Sequence, residues 1–459
     1  MNRILLKMFH ALPSPARNTV ATLRGLHLRR WRYGADSDRL TAEALERDSW
    51  SPAQWRAWQQ DRLARMLHHA ATQVPYYRAQ WESRRRCGDR ASWELLENWP
   101  ILSKEPLREN PRAFVADGED PRRLFHEHTS GTTGKSLDLW RRRDSLQAWY
   151  ALCEARMRRW YGVSRNDRWG IFGGQLVTPR RQTQPPFWVW NAALRQLYMS
   201  SYHLSPEMAQ SYLRAIRRYQ LTYLVGYSSS LYALACAAKT SGTKLDLKVI
   251  VTNAEPLLPW QRAEIEAAFE CPVRETYGLA EYVAAASECE HGTLHVWPEA
   301  GYIEISGGEI VGTGLLNPEM PLIRFATGDR GSLIENSVCP CGRDLPVLAA
   351  IEGRIDDLLH TPDGRTVGRL DPVFKTALPV VEAQIIQERI SVLRVRYVPA
   401  AGFDERAARS IRERIRDRMG PVEIILEPVE RIERGANGKF RAVICRIPAE
   451  ERQRAALSR

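Results

Sequence analysis

The chain has 459 residues, more than one ordinary hydrophobic core supports, so we expect two or three domains. Its hydrophobic content of 44% and charged content of 26% are typical of a globular protein in water. The net charge of +12 favours contact with anions, namely nucleotides, coenzymes, nucleic acid or acidic lipid, without choosing among them. No apolar run reaches the roughly 18 residues that a membrane-spanning helix needs.

Residues 1–50 form a basic extension, with seven Lys or Arg and no acidic residue before Asp36. Its apolar stretch is short and interrupted, and it has no convincing signal-peptide cleavage site. Two interpretations stay open: a basic helix that packs on the body of the protein, or a peripheral contact with anionic lipid. Eight cysteines without a secretory signal favour a reducing compartment. We therefore expect a cytoplasmic protein, either free or at the membrane surface.

The hydrophobic pattern predicts helices and strands in a definite order. Residues 53–72 have apolar residues at helical spacing, whereas VPYYRAQWE and NWPILSKEPLREN after them are turn-rich. Short apolar runs, TYLVGY and LKVIVTN, alternate with helical stretches and predict strands with crossover helices. YIEISGGEIVGTGLL and PLIRFATGD are β-rich. The pattern predicts an α/β fold with a large N-terminal domain of mixed sheets and flanking helices.

A domain boundary is predicted at the charged turn GRIDD, residues 353–357. Beyond it we expect two strands (VEAQIIQ and SVLRVRYV), an arginine-rich helix (DERAARSIRERIRDRM) and a further strand (VEIILEP). The predicted organisation is a large domain at 1–352 and a small α+β domain at 353–459. Since acids alternate with the arginines of that helix, a solvated face explains them better than nucleic-acid binding, and no nucleic-acid partner is expected.

The segment HTSGTTGKS, residues 128–136, has the composition of a phosphate-binding turn. A Walker A loop needs a glycine five residues before Gly134, where this chain has Thr129, so that interpretation fails by spacing. What remains is a turn in which the glycines permit positive backbone angles and the hydroxyls can donate to oxyanions. A solvent-exposed turn would use the same residues, and the rest of the chain has to decide.

Six segments in order, HTSGTTGK, TNAEP, TYGLAEY, RFATGD, GRIDD and NGKFR, resemble the adenylate-forming superfamily of acyl ligases. The likeness is closest to the phenylacetate-CoA ligase-like branch that includes proteins associated with capsular polysaccharide, and it runs from about residue 50 to 445. It implies ATP-dependent, AMP-forming activation of a carboxylic acid, with Mg²⁺, and transfer of the acyl group to CoA. An amine or hydroxyl acceptor, on a sugar or lipid-linked intermediate, is the alternative within enzymes.

The resemblance assigns a role to each segment. Tyr277 would stack on adenine beside Gly278, Asp329 would bind both ribose hydroxyls, and Glu281 would hold Mg²⁺. Two further sets are implied, the purine-side wall and the phosphate loop: Asn253, Ala254 and Glu255; and Thr129, Ser130, Gly131, Thr132, Thr133, Gly134 and Lys135.

The small domain carries the remaining implied roles. Arg354 would reach the nucleotide, Asp356 would be the hinge, and Lys439 would deliver its charge to the α-phosphate in the closed state. Gly364 lies in the hairpin that turns toward the thiol in CoA-forming members, and this hairpin is reshaped toward the polysaccharide-associated subgroup. The resemblance therefore defines the adenylation step more closely than it defines the acceptor of the acyl group.

One position departs from the family pattern. The family generally has Thr where this chain has Ala280, which removes a hydroxyl expected near the α-phosphate. This leaves open a protein of another class, a nucleotide-binding or basic surface-binding protein without turnover. Retention of Lys439, Asp329 and Glu281 argues against it. The acyl pocket is harder to locate, with Phe172 and Tyr227 as candidates from WGIFGGQLV and VGYSSSLY.

Four residues in two short pairs suggest a structural zinc ion: Cys289 with His291, and Cys339 with Cys341. Tetrahedral zinc takes three cysteines and one histidine, although the usual spacing within each pair is longer. Free thiols are the alternative.

Overall fold

The computed structural model describes residues 3–451 except for several short gaps. The gaps are residues 130–136, 180, 205, 256, 258, 335–337, 353–358, 368–369, 371–372, 374–377, 431, 433–442 and 449–450. Among the described residues, no helix is both long and apolar enough to cross a membrane.

Six α-helices precede the first strand in the described part of the chain. They are α1 (Arg3–Ala11), α2 (Ser14–Arg32), α3 (Ser37–Glu46), α4 (Pro52–Gln73), α5 (Pro75–Arg86) and α6 (Lys104–Glu109). Helix α4 confirms the helix predicted at 53–72. It begins with a capping box, in which Ser51 Oγ accepts from Gln54 N and the Gln54 side chain accepts from Ser51 N. Its apolar face is buried through Trp55, Leu67 and Ala70.

The prediction that VPYYRAQWE is turn-rich is wrong, because this segment begins α5. Pro75 occupies the first helical turn, where its missing N–H leaves no hydrogen bond unmade. Tyr77 and Trp81 lie one turn apart and are both buried. Tyr77 also donates a 3.2 Å hydrogen bond to the carbonyl of Pro321. Tertiary burial of one face therefore stabilises this helix. The second turn-rich segment likewise contains α6.

A twelve-stranded sheet forms the centre of the larger part. Its strands are β3 (Trp169–Gly173), β4 (Trp188–Asn191), β5 (Gln196–Ser200), β6 (Tyr223–Gly226), β7 (Val249–Thr252), β8 (Val273–Gly278), β9 (Ala285–Glu288), β10 (Leu294–Val296), β11 (Gly301–Ser306), β12 (Glu309–Gly314), β13 (Phe325–Ile334) and β14 (Val347–Glu352). Their order is β11-β12-β13-β14-β10-β9-β8-β7-β6-β3-β5-β4. Strands β5, β3, β6, β7 and β8 are parallel, and the pairs outside this group are antiparallel. A separate antiparallel hairpin joins β1 (Phe125–His128) to β2 (Asp138–Arg141).

Helices cover the parallel strands, as the alternation of apolar runs predicts. They are α7 (Arg143–Met157), α8 (Pro206–Arg218), α9 (Ser228–Ser241) and α10 (Pro259–Phe269). One apolar cluster joins Leu224 and Ile250 of the sheet to Leu213 of α8, Leu234 of α9 and Ile265 of α10. Burial of these fully enclosed side chains stabilises the crossover arrangement.

The C-terminal part has its own four-stranded sheet, in the order β19-β18-β17-β20. The four strands are β17 (Val380–Arg389), β18 (Val392–Pro399), β19 (Glu423–Pro428) and β20 (Val443–Cys445). This part also contains α11 (Glu405–Met419) and a separate pair of short strands, β15 (Leu359–His360) and β16 (Thr366–Val367). A separate apolar cluster lies between α11 and this sheet. The predicted strands and helix are confirmed, and so is the α/β class with a smaller C-terminal unit. The boundary at residue 353 lies outside the described residues and stays a prediction.

The basic extension packs on the edge of the large sheet. Asn18 of α2 accepts a 2.9 Å hydrogen bond from Trp190 N, and Thr22 accepts one of 3.1 Å from Ala192 N. A side chain at Gly25 would collide with Asn191, so α2 approaches β4 closely here. An unpaired edge strand can form hydrogen bonds with another chain, so packing of α2 on β4 protects this edge from association.

Candidate functional site

The carboxyl ends of β6, β7 and β8 meet at one edge of the sheet, where open α/β sheets bind ligands. Asn253 follows β7, and its backbone N–H donates a 3.0 Å hydrogen bond to the Gly226 carbonyl of β6. The buried Asn253 Oδ1 has no hydrogen-bond partner among the described residues. Ala254 has a φ of 63°, which is uncommon for a residue other than glycine. An unpartnered amide oxygen on a strained turn fits a ligand-binding wall.

Tyr277 and Asp329, which the sequence assigned to the adenine and the ribose, are in direct contact. Tyr277 Oη donates a 2.9 Å hydrogen bond to Asp329 Oδ2. Burial, reinforced by the negative charge of Asp329, raises the pKa of Tyr277 well above 10, so its hydroxyl remains a donor. Asp329 N donates to Thr327 Oγ1 at 3.0 Å, and Lys104 Nζ donates to the Thr327 carbonyl at 2.7 Å. The carboxylate is therefore held in one orientation.

The turn that follows β8 carries the implied magnesium ligand. Gly278 is the last residue of β8, and the Glu281 side chain lies three residues beyond it with the residue only 9% exposed. Tyr282 has a φ of 58°, a second left-handed residue at this edge. A nearly enclosed carboxylate is a hard oxygen ligand of the kind that Mg²⁺ takes. The residues present therefore fit ATP and Mg²⁺.

Arg141 stabilises this turn, a role that was not predicted from the sequence. It is fully buried, and its guanidinium donates to the carbonyl of Ala280 and lies 3.8 Å from the centroid of the Tyr282 ring. It also forms a 2.8 Å ion pair with Glu127. Trp149 stacks on the other side of the Tyr282 ring, at 3.9 Å between centroids. Arg141 therefore links the strands that flank the predicted phosphate loop to the turn that carries Glu281.

Only the first residue of the predicted phosphate loop lies in the described part of the chain. Thr129 is buried, its N–H donates to the Leu137 carbonyl at 3.0 Å, and its Oγ1 accepts from Leu137 N at 2.9 Å. These bonds close the base of the loop between β1 and β2. The six other loop residues lie outside the described residues, and their roles stay predictions: Ser130, Gly131, Thr132, Thr133, Gly134 and Lys135.

Three residues assigned to the small domain also lie outside the described residues: Arg354, Asp356 and Lys439. Their roles stay predictions. Gly364 is described, and its φ of 78° places it in a tight turn between β15 and β16. Arg365 beside it donates to the Tyr202 carbonyl of the large domain.

A group of tyrosines surrounds a glycine beside the nucleotide wall. A Cβ added at Gly174 would lie 3.1 Å from Tyr227 Oη and 3.3 Å from Tyr202 Oη. Tyr198 Oη accepts a 3.1 Å hydrogen bond from the N–H of the next residue, Gln175. Phe172, in contrast, is 1% exposed and packs against Tyr212 in the core. Of the two proposed acyl-pocket residues, Tyr227 lies in this group and Phe172 does not.

The structure corrects the histidine in the proposed zinc set. The ligand atoms of Cys289, His295, Cys339 and Cys341 all lie within 4.8 Å of one another. The His291 side chain is exposed, whereas His295 is fully buried. His295 lies on β10, whose antiparallel pairing with β9 and β14 brings it to the cysteines. Spacing along the chain favoured His291, which is nearer to Cys289. The antiparallel turn between β9 and β10 instead brings His295 to the cysteines.

Comparisons with known proteins identify relatives of this chain. Residues 359–446 match the family described as the CapK C-terminal domain. Protein CapK of Staphylococcus aureus is 27% identical over 304 residues, which cover 64% of this chain and 66% of that protein. Phenylacetate-coenzyme A ligase of Pseudomonas putida is 27% identical over 354 residues, covering 71% of this chain and 75% of that ligase.

Solved structures show the same architecture. 2-Hydroxyisobutyryl-CoA ligase in the postadenylation state, in complex with R3-HIB-AMP, superimposes with a TM-score of 0.54 at 20% identity, covering 90% of this chain and 93% of that one. The same ligase in the thioesterification state, with 2-HIB-AMP and CoA, also gives 0.54 at 20% identity, with 87% and 91% covered. The chain has the fold of an adenylate-forming acyl-CoA ligase. The resemblance to the phenylacetate-CoA ligase-like branch is thereby confirmed, and the enzyme class predicted from the sequence is that of these relatives. The chain spans 66% of Protein CapK, just under two thirds of its length.

Proposed function

We propose that this protein is an ATP-dependent, AMP-forming ligase that converts a carboxylic acid to an acyl-adenylate and passes the acyl group to CoA. One observation carries the proposal. The Tyr277–Asp329 pair and the unpartnered Oδ1 of Asn253, among the described residues, lie together at the carboxyl edge of the parallel strands. Such an edge offers an aromatic plane, a fixed carboxylate and an amide oxygen to one adenosine. The fold and the named ligase relatives support the same activity.

In the first half-reaction, a carboxylate oxygen of the acid attacks the α-phosphorus of ATP and the bond to pyrophosphate breaks. Negative charge grows on the transferring group and on the leaving group, so cations and donors stabilise the transition state. Thr129 to Lys135 would hold the β- and γ-phosphates, and Lys439 would reach the α-phosphate. Glu281 would hold Mg²⁺, which neutralises phosphate charge when bound. Asp329 would accept from the ribose hydroxyls.

In the second half-reaction, the CoA thiolate attacks the acyl carbonyl, the C–O bond to AMP breaks, and the thioester and AMP leave. Rotation about Asp356 would exchange the groups over the acyl-adenylate between the two steps. An amine or hydroxyl acceptor in polysaccharide or lipid-linked biosynthesis is the alternative. The match of residues 359–446, which include the Gly364 hairpin, to the CapK C-terminal domain favours keeping that alternative.

The acid is expected to bind next to Gly174. The Tyr202 and Tyr227 hydroxyls lie next to this glycine, and the Tyr198 hydroxyl accepts from the N–H of the following residue, Gln175. The Ser228 hydroxyl, next to Tyr227, reaches Glu255 Oε2 at 3.4 Å, which connects this group to the nucleotide wall. A glycine places no side chain beside these hydroxyls, and the tyrosines would orient the polar atoms of the substrate.

Carboxylate-dependent ATP–pyrophosphate exchange tests the adenylation step. A panel of aryl, fatty and sugar acids is offered to the wild type, to Lys439→Ala and to Lys244→Ala. Lys244 serves as the control because its side chain is 69% exposed and forms an ion pair with Glu270 on the surface. We expect exchange with one acid class, collapse in K439A and full activity in K244A. ATP binding without exchange for any acid would favour the non-catalytic nucleotide-binding alternative, for which Ala280 is the sequence feature.

A second candidate property is a peripheral contact with anionic membranes through α1 and α2. Half of the large exposed hydrophobic side chains among the described residues lie in the first 26 residues: Leu5, Met8, Val20, Leu23 and Leu26. Exposed lysine and arginine residues accompany them, and the segment has no acidic residue. Apolar side chains among cations are the composition by which interfacial helices bind anionic lipid.

Sedimentation with vesicles tests this contact. Phosphatidylglycerol vesicles are compared with phosphatidylcholine vesicles for the wild type, Leu23→Glu and Leu95→Glu. Leu95 is similarly exposed but lies outside the extension, so L95E controls for the added charge. We expect binding to phosphatidylglycerol only, lost in L23E and kept in L95E. Equal binding of L23E and wild type would argue against the contact.

A further inference from the structure

We propose that Cys289, His295, Cys339 and Cys341 bind one zinc ion that joins two turns of the large sheet. The proposal is independent of the ligase activity, since it concerns a metal that takes no part in the reaction. Cys289 follows β9 and His295 lies on β10, while both remaining cysteines belong to the connection between β13 and β14. The four side chains come from two separate segments and meet in a largely buried place.

The distances between ligand atoms fit a tetrahedral ion. With Zn–S bonds of about 2.3 Å, two sulfurs at a tetrahedral centre lie about 3.8 Å apart. The Cys289 and Cys339 sulfurs are 3.6 Å apart, well beyond the roughly 2.05 Å of a disulfide bond. The same geometry places a sulfur and an imidazole nitrogen about 3.5 Å apart. Cys341 Sγ lies 3.3 Å from His295 Nε2.

The surrounding groups are those that orient metal ligands. His295 Nδ1 lies 3.5 Å from the Leu345 carbonyl, so the imidazole can donate there and present Nε2 to the metal. The backbone N–H of His291 donates to Cys289 Sγ at 3.4 Å, and Thr293 Oγ1 lies 3.3 Å from Cys339 Sγ. His291 therefore contributes its backbone to the site, but not its side chain.

The charge of the site is also compensated. Three thiolates and one Zn²⁺ carry a net charge of −1, and the Arg343 guanidinium lies beside Cys341. Arg343 also pairs with Glu290 at 2.8 Å and lies over the Trp160 ring, which fixes it beside the site. Three soft sulfurs and one imidazole select zinc over the hard cations, which prefer oxygen.

A zinc ion here would act structurally. Four protein ligands leave no open coordination position for a substrate or a water molecule. The ion would tie the β9–β10 turn to the β13–β14 connection. Strand β9 pairs with β8, where Ala286 lies opposite Tyr277. The site would therefore stabilise the part of the sheet that carries the proposed nucleotide-binding edge.

Metal content measured by inductively coupled plasma mass spectrometry tests the proposal. Wild type, His295→Ala and His291→Ala are expressed with added zinc and purified without chelator. His291 is the matched control, because it is the same residue type four positions away and its side chain is exposed. We expect one zinc per chain in wild type and H291A, and a loss of most zinc in H295A. Zinc-free wild type, or H291A losing zinc while H295A keeps it, would overturn the assignment.

A second measurement does not depend on the folding of a variant. Wild-type protein stripped with a chelator is titrated with Co²⁺ and followed by absorption. Thiolate-to-cobalt charge-transfer bands that saturate at one equivalent, and that added zinc abolishes, are the expected result. Absence of these bands, or a disulfide between Cys289 and Cys339 found by peptide mass mapping of the protein as purified, would contradict the site.

Discussion

The Tyr277 hydroxyl donates a 2.9 Å hydrogen bond to Asp329 Oδ2, although β8 and β13 are separated by three strands in the order of the sheet. The antiparallel half of the sheet must therefore curve back toward the carboxyl ends of the parallel half. The contact brings together the two residues that the sequence assigned to adenine and ribose. It also orients Asp329 before a nucleotide is bound, which lowers the ordering cost of binding.

Substitution of Tyr277 or Asp329 is predicted to change the KM for ATP and not the KM for the acid. Asp329→Ala should raise the KM for ATP on the order of tenfold or more, because hydrogen bonds to a charged group contribute about 1.5–3 kcal/mol. Tyr277→Phe should raise it only a few fold, since the ring is kept and only the orienting hydroxyl is lost. Pyrophosphate exchange at varied ATP measures both, and an unchanged KM in D329A would remove Asp329 from the nucleotide site.

Arg141 is predicted to matter for both stability and rate. Arg141→Lys keeps the charge but loses the planar fork that reaches Ala280 and Glu127 together. We expect a loss of about 2–4 kcal/mol of stability and slower exchange, because the Glu281 turn loses its support. Thermal melting and exchange rates are compared with Arg143→Lys, an exposed neighbour. Equal behaviour of the two variants would show that the buried contacts are dispensable.

Ala280→Thr is predicted to increase the rate of adenylation. The resemblance places a hydroxyl near the α-phosphate at this position, and one restored hydrogen bond contributes about 1 kcal/mol, a gain of roughly fivefold in kcat. Ala280→Ser tests the hydroxyl without the methyl group, and Ala280→Val tests the branched shape without the hydroxyl. A gain in A280V equal to that in A280T would assign the effect to packing instead.

Acid sensitivity is predicted to depend on Glu299. Burial alone would raise the pKa of this carboxyl, but the charge and hydrogen bonds of the fully buried Arg156 lower it below its ordinary value of 4.5. Since the folded pKa is lowered, the contribution to stability is complete above pH 4.5 and is lost as the pH falls through the lower folded pKa.

Glu299→Gln should cost about 3–5 kcal/mol at neutral pH, because Arg156 is left without its main partner. Its stability should then fall less steeply than that of the wild type as the pH drops below 4.5. Denaturant unfolding at several pH values measures this, with Glu43→Gln as a more exposed control. Parallel pH curves for wild type and E299Q would contradict the sign of the shift.

Gly174→Ala is predicted to weaken use of the acid. The new Cβ would lie 3.1 Å from Tyr227 Oη, inside the space proposed for the substrate. We expect kcat/KM for the acid to fall on the order of tenfold while the KM for ATP stays unchanged. D329A is the reciprocal control. A change in the KM for ATP in G174A would mean that the acid binds elsewhere.

Local patterns predicted a large part of this molecule. The helix at 53–72, the strands and helix of the small domain and the α/β class follow from periodicity, because apolar spacing reports which face of an element is buried. The ordered motifs indicated the family resemblance in the same way, and two of them lie where strands end, at Thr252 of β7 and Gly278 of β8. These are properties of residues close together in the chain.

Tertiary structure decided what depends on distant partners. Helix α5 has no side-chain hydrogen bond at its N-cap, and burial of Tyr77 and Trp81 against the core stabilises it. The proposed zinc set contains His295 instead of His291, because strand pairing buries His295 beside the cysteines. Arg141 stabilises the turn that carries Glu281 because folding brings β2 into contact with Ala280 and Tyr282. The sequence by itself determined the motifs and most of the helices and strands, whereas folding determined which side chains meet, because contact energies depend on distance in space and not along the chain.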